Sequence, residues 1–152
     1  MAARSSGPVA LISIHPQFAD RILTGRKRVE FRKMRFTNSI THVVLYATSP
    51  VKRILGYFTV KGIDHASPPD LWRRYQGVAG IEEASFFSYF RKCNNGIAIK
   101  VDKVFRLPEP HPLSILDSEL TPPRSFCYLP IGSVERLTRR IDQSRSESIL
   151  SS

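Results

Sequence analysis

Three side chains that can take part in acid–base or phosphate chemistry, Lys27, Glu30 and Arg32, lie close together in the sequence. Glu30 and Arg32 are two residues apart, so in a strand they project from the same face and can pair. Lys27 would point away from them in a regular strand and joins them only if the chain after Gly25 is still turning. A lysine removed from water beside a carboxylate serves as a general base or as an anion clamp. The alternative interpretation is an ordinary surface ion pair, which stabilises a protein little.

Positive charge is concentrated around these three residues. The segment 21–35 holds seven Lys and Arg residues and one Glu, in a chain whose net charge is +10. Such a cluster favours a polyanionic partner. We therefore expect a nucleic acid, RNA or DNA, or a nucleotide as the partner, and a phosphate-attracting field supplied by Arg26, Arg28, Lys33 and Arg35.

The elements around this segment can be predicted from its pattern. The apolar run Val9–Ile14 is typical of a strand, and Pro16 suits the first position of a helix. A short helix is expected over 16–24, ended by Gly25, because glycine enters the left-handed region without strain. His15 lies at the strand-to-helix junction, where it can face a ligand phosphate or simply cap the helix.

The rest of the chain alternates between strand-like and helix-like patterns. Strands are expected at 41–48, 53–61, 97–107 and 125–129. Helices are expected at 70–75, 81–93 and 132–152, with loops at 36–40, 65–69 and 108–123. The first two of these strands should form an antiparallel pair, with a bulge or a close backbone approach at Gly56.

These elements predict one α+β domain. We expect a small mixed, mostly antiparallel β-barrel or curled sheet with two to four short helices, over residues 9–130. Residues 1–8 are expected to be disordered, and 131–152 should form a polar helix or tail.

Several classes of protein are disfavoured by the sequence. No apolar run is long enough to span a membrane, and no phosphate-binding glycine loop is present. The two cysteines, Cys93 and Cys127, match no metal-binding spacing, and neither do the four histidines. We expect reduced cysteines, a cytoplasmic location, and neither a metal nor a cofactor.

Aromatic residues near the middle of the chain allow a second kind of contact. Trp72 and Tyr75 can stack on the bases of a single strand. The alternative is that both pack in or near the core.

The segment Gly25–Arg32 fits the pattern G-x-K-x-x-E-x-R. Together with Leu11–Pro16, Tyr46–Pro50 and Ser125–Leu129, it resembles the ASCH domain proteins of the PUA-like superfamily. The likeness is to their stand-alone bacterial members, often labelled predicted transcriptional regulators. The resemblance implies a β-barrel with helices packed at its ends and a cleft lined by the motif.

The resemblance also implies two alternative functions. ASCH relatives are thought to bind RNA or nucleotides in this cleft, and we expect the same here through Lys27, Glu30 and Arg32. Some small members are amidohydrolases acting on N4-acetylcytidine, and a ribonuclease is also reported. In the amidohydrolases a lysine matching Lys27 is catalytic, whereas a threonine stands where this chain has Glu30. The alternative is therefore a hydrolase with Lys27 as its base and Glu30 as partner; Glu82 and Glu83 are candidates for a second carboxylate.

Overall fold

A computed structural model of the chain describes residues 7–37 and 39–151. The described part contains four α-helices and six strands. The helices are α1 (Pro16–Leu23), α2 (Pro68–Tyr75), α3 (Glu83–Tyr89) and α4 (Ser133–Ser151). The strands are β1 (Val9–Ile14), β2 (Val29–Arg32), β3 (His42–Ala47), β4 (Arg53–Ala66), β5 (Gly96–His111) and β6 (Phe126–Leu129).

All six strands belong to one curled sheet with the order β2-β5-β4-β3-β1-β6. The β1–β3 pair is parallel and the other pairs are antiparallel. This confirms the predicted α+β class and the mostly antiparallel sheet, including the pairing of β3 with β4. The sheet forms a half-barrel, with β2 and β6 as its two edges.

The alternation of side chains along the strands separates three apolar cores. Along β1, Ala10 and Ile12 pack on the inner face of the curl, beneath α1. Val9 and Leu11 pack on the opposite face, where they meet residues of α4. A third core joins β2 to the region of α2 and α3. Each side of the sheet is therefore covered, as the apolar content of its strands requires.

Helix α1 begins and ends as its sequence predicts. Pro16 occupies the first helical turn, and Gly25 follows the helix with a φ of 84°. The Gly25 amide donates to the carbonyl oxygen of Ile22 at 3.1 Å, so the helix stops there. Arg26 and Lys27 then lie in an irregular segment before β2 begins, which fulfils the condition for Lys27 to turn toward Glu30.

Two strands are longer than the sequence predicts. Strand β4 continues to Ala66, into the first two residues of the expected loop at 65–69, because its end pairs with the start of β5. Strand β5 continues to His111, past Pro108, into the expected loop at 108–123. The register jumps between Gly56↔Arg106 and Ile54↔His111, so the prolines lie where no regular ladder bond is needed.

Two finer features correct or confirm local predictions. The expected helix over 81–93 is shorter, Glu83–Tyr89; beyond it the Arg91 amide donates to the carbonyl oxygen of Ser88 at 3.2 Å, so the chain leaves the α-helical hydrogen-bond pattern there. The close approach predicted at Gly56 is confirmed, since a Cβ there would collide with the Phe105 carbonyl oxygen.

Most of the expected N-terminal tail lies outside the described residues. At the first described residues, the carbonyl oxygen of Pro8 accepts a hydrogen bond of 2.8 Å from the Thr41 amide.

Among residues 7–37 and 39–151, no helix combines the length and apolar character needed to cross a membrane.

Candidate functional site

Lys27 is buried with only 2% of its surface exposed, which is unusual for a lysine. Its Nζ donates a hydrogen bond of 2.6 Å to the carbonyl oxygen of Ala79 and lies 3.8 Å from Glu30 Oε1. The same nitrogen lies 5.4 Å from the ring centroid of Phe18 and 5.2 Å from that of Phe31. The ammonium group is thus held between two aromatic rings, a carbonyl and a carboxylate.

The backbone around Lys27 is fixed by the segment between α2 and α3. The Arg28 amide donates to the carbonyl oxygen of Val78 at 2.9 Å. Gly80, with a φ of 62°, packs against Lys27, and a Cβ on it would lie 2.5 Å from the Lys27 Cβ. The position of Lys27 therefore depends on a turn that is distant in the sequence.

Glu30 and Arg32 lie on the inner face of the half-barrel. The register places Glu30 opposite Ile99 and Arg32 opposite Ile97, and both isoleucines belong to the inner core. The two charged side chains pair, with Arg32 Nη2 2.9 Å from Glu30 Oε2. Glu30 thus bridges the cations of Lys27 and Arg32. The predicted lateral pair exists, and it is buried rather than exposed on the surface.

Arg32 connects the two edges of the sheet. From edge strand β2 it donates to the carbonyl oxygen of Ser13 in β1 at 3.0 Å and to Ser125 Oγ, just before β6, at 3.2 Å. A planar guanidinium with five donors is suited to such a set of acceptors. Arg32 therefore helps to close the open side of the half-barrel and fixes Glu30 at the same time.

These side chains line a cleft of about 420 Å³ between α1, β2 and α3. Its charged members are Lys27, Glu30 and Arg32. Its aromatic and small polar members include Phe18, Phe86, Tyr89, Ser13 and Ser85. A cleft of this size with apolar walls and a few polar groups is typical of a small-ligand site.

The burial that defines the cleft changes the acid–base properties of its groups. Removal from water lowers the pKa of Lys27; the Glu30 carboxylate opposes this effect, and Arg21 and Arg32 add to it. Burial also raises the pKa of Tyr89. Lys27 therefore releases its proton more readily than an exposed lysine, which fits either an anion-binding cation or a base.

His15 is exposed at the start of α1 and lines the same cleft. Its ring lies edge-on to Phe18, with 6.3 Å between the ring centroids. The structure thus brings together four of the predicted site residues: His15, Lys27, Glu30 and Arg32.

Other predicted site residues point elsewhere. Arg26 is exposed and lies 3.7 Å from Asp20 Oδ2. Arg28 donates to the carbonyl oxygens of Val101 and Asp102 at 2.9 and 2.6 Å, so it is occupied by β5. Neither residue lines the cleft.

Lys33, Arg35 and Trp72 lie near the cleft but do not line it. Lys33 and Arg35 line a neighbouring concavity of about 310 Å³. Trp72 donates through Nε1 to Glu83 Oε1 at 3.1 Å and packs 5.1 Å from the ring of Phe86, behind the cleft wall. Glu83 faces Trp72, and neither it nor Glu82 lines the cleft.

Sequence reasoning missed several lining residues, above all Tyr89 and Ser13. Tyr89 lies in the segment predicted as a helix over 81–93; it is 37% exposed and faces the cleft. Ser13 interrupts an otherwise apolar strand, and this interruption was the available signal. In residues 7–37 and 39–151, no group of three or more His, Cys, Asp or Glu residues could hold a metal ion.

Known proteins resemble this chain along most of its length. The ASCH domain model matches residues 12–105. A curated Zymomonas mobilis protein named "ASCH domain-containing ribonuclease" is 28% identical over 137 residues, which are 88% of this chain and 93% of that protein. The crystal structure of ASCH from Zymomonas mobilis gives a TM-score of 0.79 at 27% identity, covering 86% of this chain and 94% of that one. The N-terminal domain of Staphylothermus marinus McrB shares the fold, with a TM-score of 0.56 at 11% identity, covering 87% of this chain and 93% of that one.

Proposed function

This chain belongs to the ASCH domain family, and from that premise we propose that it binds single-stranded RNA with one nucleotide seated in the cleft of Lys27. The observation that carries the proposal is a buried ammonium group at the floor of an aromatic-lined cleft. An ammonium group has three donors. The Ala79 carbonyl takes one and Glu30 faces a second, so a donor remains for a ligand oxygen.

The shape and lining of the cleft favour a nucleotide. Its volume of about 420 Å³ suits one nucleoside with its phosphate better than a duplex. Phe18 and Tyr89 provide aromatic surface on which a base can stack, a contact worth about 1–3 kcal/mol. A base must leave a helix or belong to a single strand to enter such a site, which supports an unpaired RNA segment as the ligand.

A substitution of Lys27 tests the binding function. Lys27→Met keeps most of the length of the side chain and removes its charge. We expect a loss on the order of 1–3 kcal/mol in affinity for labelled single-stranded RNA, because a charge-assisted hydrogen bond is lost. The matched control is Lys103→Met, a charge removal at an exposed position of β5. Equal affinities of the two variants in fluorescence anisotropy would contradict the proposal.

A second candidate function is RNA cleavage. It is favoured by the lowered pKa of Lys27 and by the ribonuclease name of the Zymomonas mobilis relative. In this scheme the neutral Lys27 amine takes the proton of a ribose 2′-hydroxyl, and the 2′-oxygen forms a bond to the adjacent phosphorus. The bond from phosphorus to the 5′-oxygen breaks, and that oxygen takes a proton from water; the hydroxide left behind takes the proton that Lys27 holds. The products are a 2′,3′-cyclic phosphate and a free 5′-hydroxyl.

The two functions separate in a second variant. Lys27→Arg retains a cation and is expected to keep much of the RNA affinity, although arginine does not release a proton near neutral pH. If the chain is a ribonuclease, Lys27→Arg and Lys27→Met lose cleavage alike, and a 2′-deoxy strand is bound but not cut. If RNA stays intact after incubation with the wild-type protein, the ribonuclease function is excluded and RNA binding remains as the function. Turnover of N4-acetylcytidine, measured in parallel, tests the amidohydrolase alternative.

A further inference from the structure

We infer that the concavity lined by Lys33, Arg35, His65, Asn95 and Gly96 is a second subsite, which holds the phosphate of the nucleotide next to the one in the cleft. This inference rests on the proposed function and deepens it. It predicts that the ligand is an oligonucleotide of at least two residues rather than a free nucleoside.

The register of three strands explains why these residues meet. Arg32, the last residue of β2, lies opposite Ile97 of β5, and His65 of β4 lies opposite the same Ile97 on its other side. Lys33 comes directly after Arg32, and Asn95 comes shortly before Ile97 in the chain. The ends of β2, β4 and β5 therefore place the side chains of Lys33, His65 and Asn95 at one end of the sheet.

The chemistry of this concavity suits an anion. Lys33 and Arg35 are exposed cations, and no carboxylate is among its described lining residues. Asp64 adjoins His65 in β4, and the alternation of side chains along the strand places it on the opposite face. Its Oδ2 accepts hydrogen bonds from Tyr75 at 2.7 Å and Arg74 at 3.0 Å. The positive charge of the concavity is thus not neutralised by the residue beside it.

Tyr89 connects the second subsite to the cleft. Its side chain lines the cleft, and the Nζ of Lys33 lies 4.7 Å from the centroid of its ring. A strand that stacks one base near Tyr89 therefore passes Lys33 with its next phosphate. Gly96 also lines the concavity, and a side chain at this position would collide with the ring of Phe90.

The experiment compares ligands of different length. Binding of a mononucleotide and of a trinucleotide is measured by titration for the wild type and for the double variant Lys33→Gln/Arg35→Gln. The matched control is Arg136→Gln/Arg139→Gln, which removes the same charge from exposed positions of α4. The wild type is expected to bind the trinucleotide at least tenfold more tightly than the mononucleotide.

The double variant is expected to lose most of this length advantage while keeping its mononucleotide affinity, and its salt slope for the trinucleotide falls by about 0.7 per lost phosphate contact. The control variant keeps the length advantage. An undiminished length advantage in the double variant would overturn the inference.

The Lys27→Met variant distinguishes this failure from failure of the proposed function. If that variant binds both ligands like the wild type while the double variant loses the length advantage, the cleft is the wrong site, and the concavity is a phosphate site that acts without it. If Lys27→Met weakens both ligands and the double variant changes nothing, the cleft stands and the second subsite does not.

Discussion

Lys27 donates through Nζ a hydrogen bond of 2.6 Å to the carbonyl oxygen of Ala79, a residue 52 positions further along the chain. This bond ties the segment before β2 to the turn between α2 and α3. It also removes the ammonium group from water and directs it toward Glu30. The unusual acid–base character of Lys27 is thus produced by a contact between distant parts of the sequence.

The pH dependence should reveal which form of Lys27 is used. Burial places the pKa of Lys27 below its usual value of 10.5. If the ammonium form binds RNA, affinity falls as the pH rises through this lowered pKa. If the neutral amine is a base, kcat/KM for cleavage rises over the same interval. Fluorescence anisotropy measures the RNA affinity and a cleavage assay measures kcat/KM as the pH is raised. Neither quantity should change with pH in this way in Lys27→Met. A pH dependence that persists in that variant would assign it to another group.

Neutralising Glu30 should destabilise the protein strongly. Glu30→Gln leaves the buried cations of Lys27 and Arg32 without their shared carboxylate, and losing one partner of a buried pair costs about 3–5 kcal/mol. The matched control is Asp20→Asn, which breaks two exposed pairs, with Arg26 and Arg106, at an expected cost of about 1 kcal/mol or less. Urea unfolding measures both. Similar losses in the two variants would show that the Glu30 network contributes no more than a surface pair.

Adding one methyl group at Gly80, which does not line the cleft, should displace Lys27. Gly80→Ala places a Cβ 2.5 Å from the Lys27 Cβ at a residue whose φ is 62°. We expect a loss of stability of about 1–2 kcal/mol from the backbone conformation alone, together with weaker RNA binding. Gly77→Ala is the control, because its Cβ would have no neighbour within 4 Å. Unchanged RNA affinity in Gly80→Ala would mean that the placement of Lys27 does not depend on this turn.

The contact between Tyr75 and Asp64 should stabilise α2 in a pH-dependent way. The hydroxyl donates to Asp64 Oδ2 at 2.7 Å, and burial together with this bond raises the pKa of Tyr75 to about 12. A raised native pKa contributes stability that is present below the unfolded value, near 10, and is lost as the pH rises through about 12. Tyr75→Phe should therefore be less stable than the wild type by about 1 kcal/mol at pH 8, with a smaller difference at pH 11.

Chemical denaturation at both pH values checks this prediction. The exposed Lys103→Met variant, far from this contact in the sequence, serves as the reference for nonspecific alkaline effects. A difference between Tyr75→Phe and the wild type that stays constant from pH 8 to pH 11 would contradict the expected linkage.

Much of the fold could be predicted because it depends on local pattern. The apolar run of β1, Pro16 and Gly25 at the two ends of α1, and the β3–β4 pair are all encoded over a few residues, and the structure contains each of them. The ends of β4 and β5 could not be predicted, because they depend on pairing between two strands that are separated by 29 residues. Local propensity says little about where such a pairing stops.

For the site, the sequence by itself determined which groups are available and that Glu30 and Arg32 share one strand face. Only the tertiary structure decided that Lys27 is buried against Ala79, that Arg32 joins both edges of the half-barrel through Ser13 and Ser125, and that Arg28 is occupied by β5. The physical reason is that a pattern of charged residues in the sequence does not show which of them are exposed to water in the folded protein. Whether a lysine remains an ordinary surface cation or acquires a lowered pKa depends on which distant segments exclude water from it.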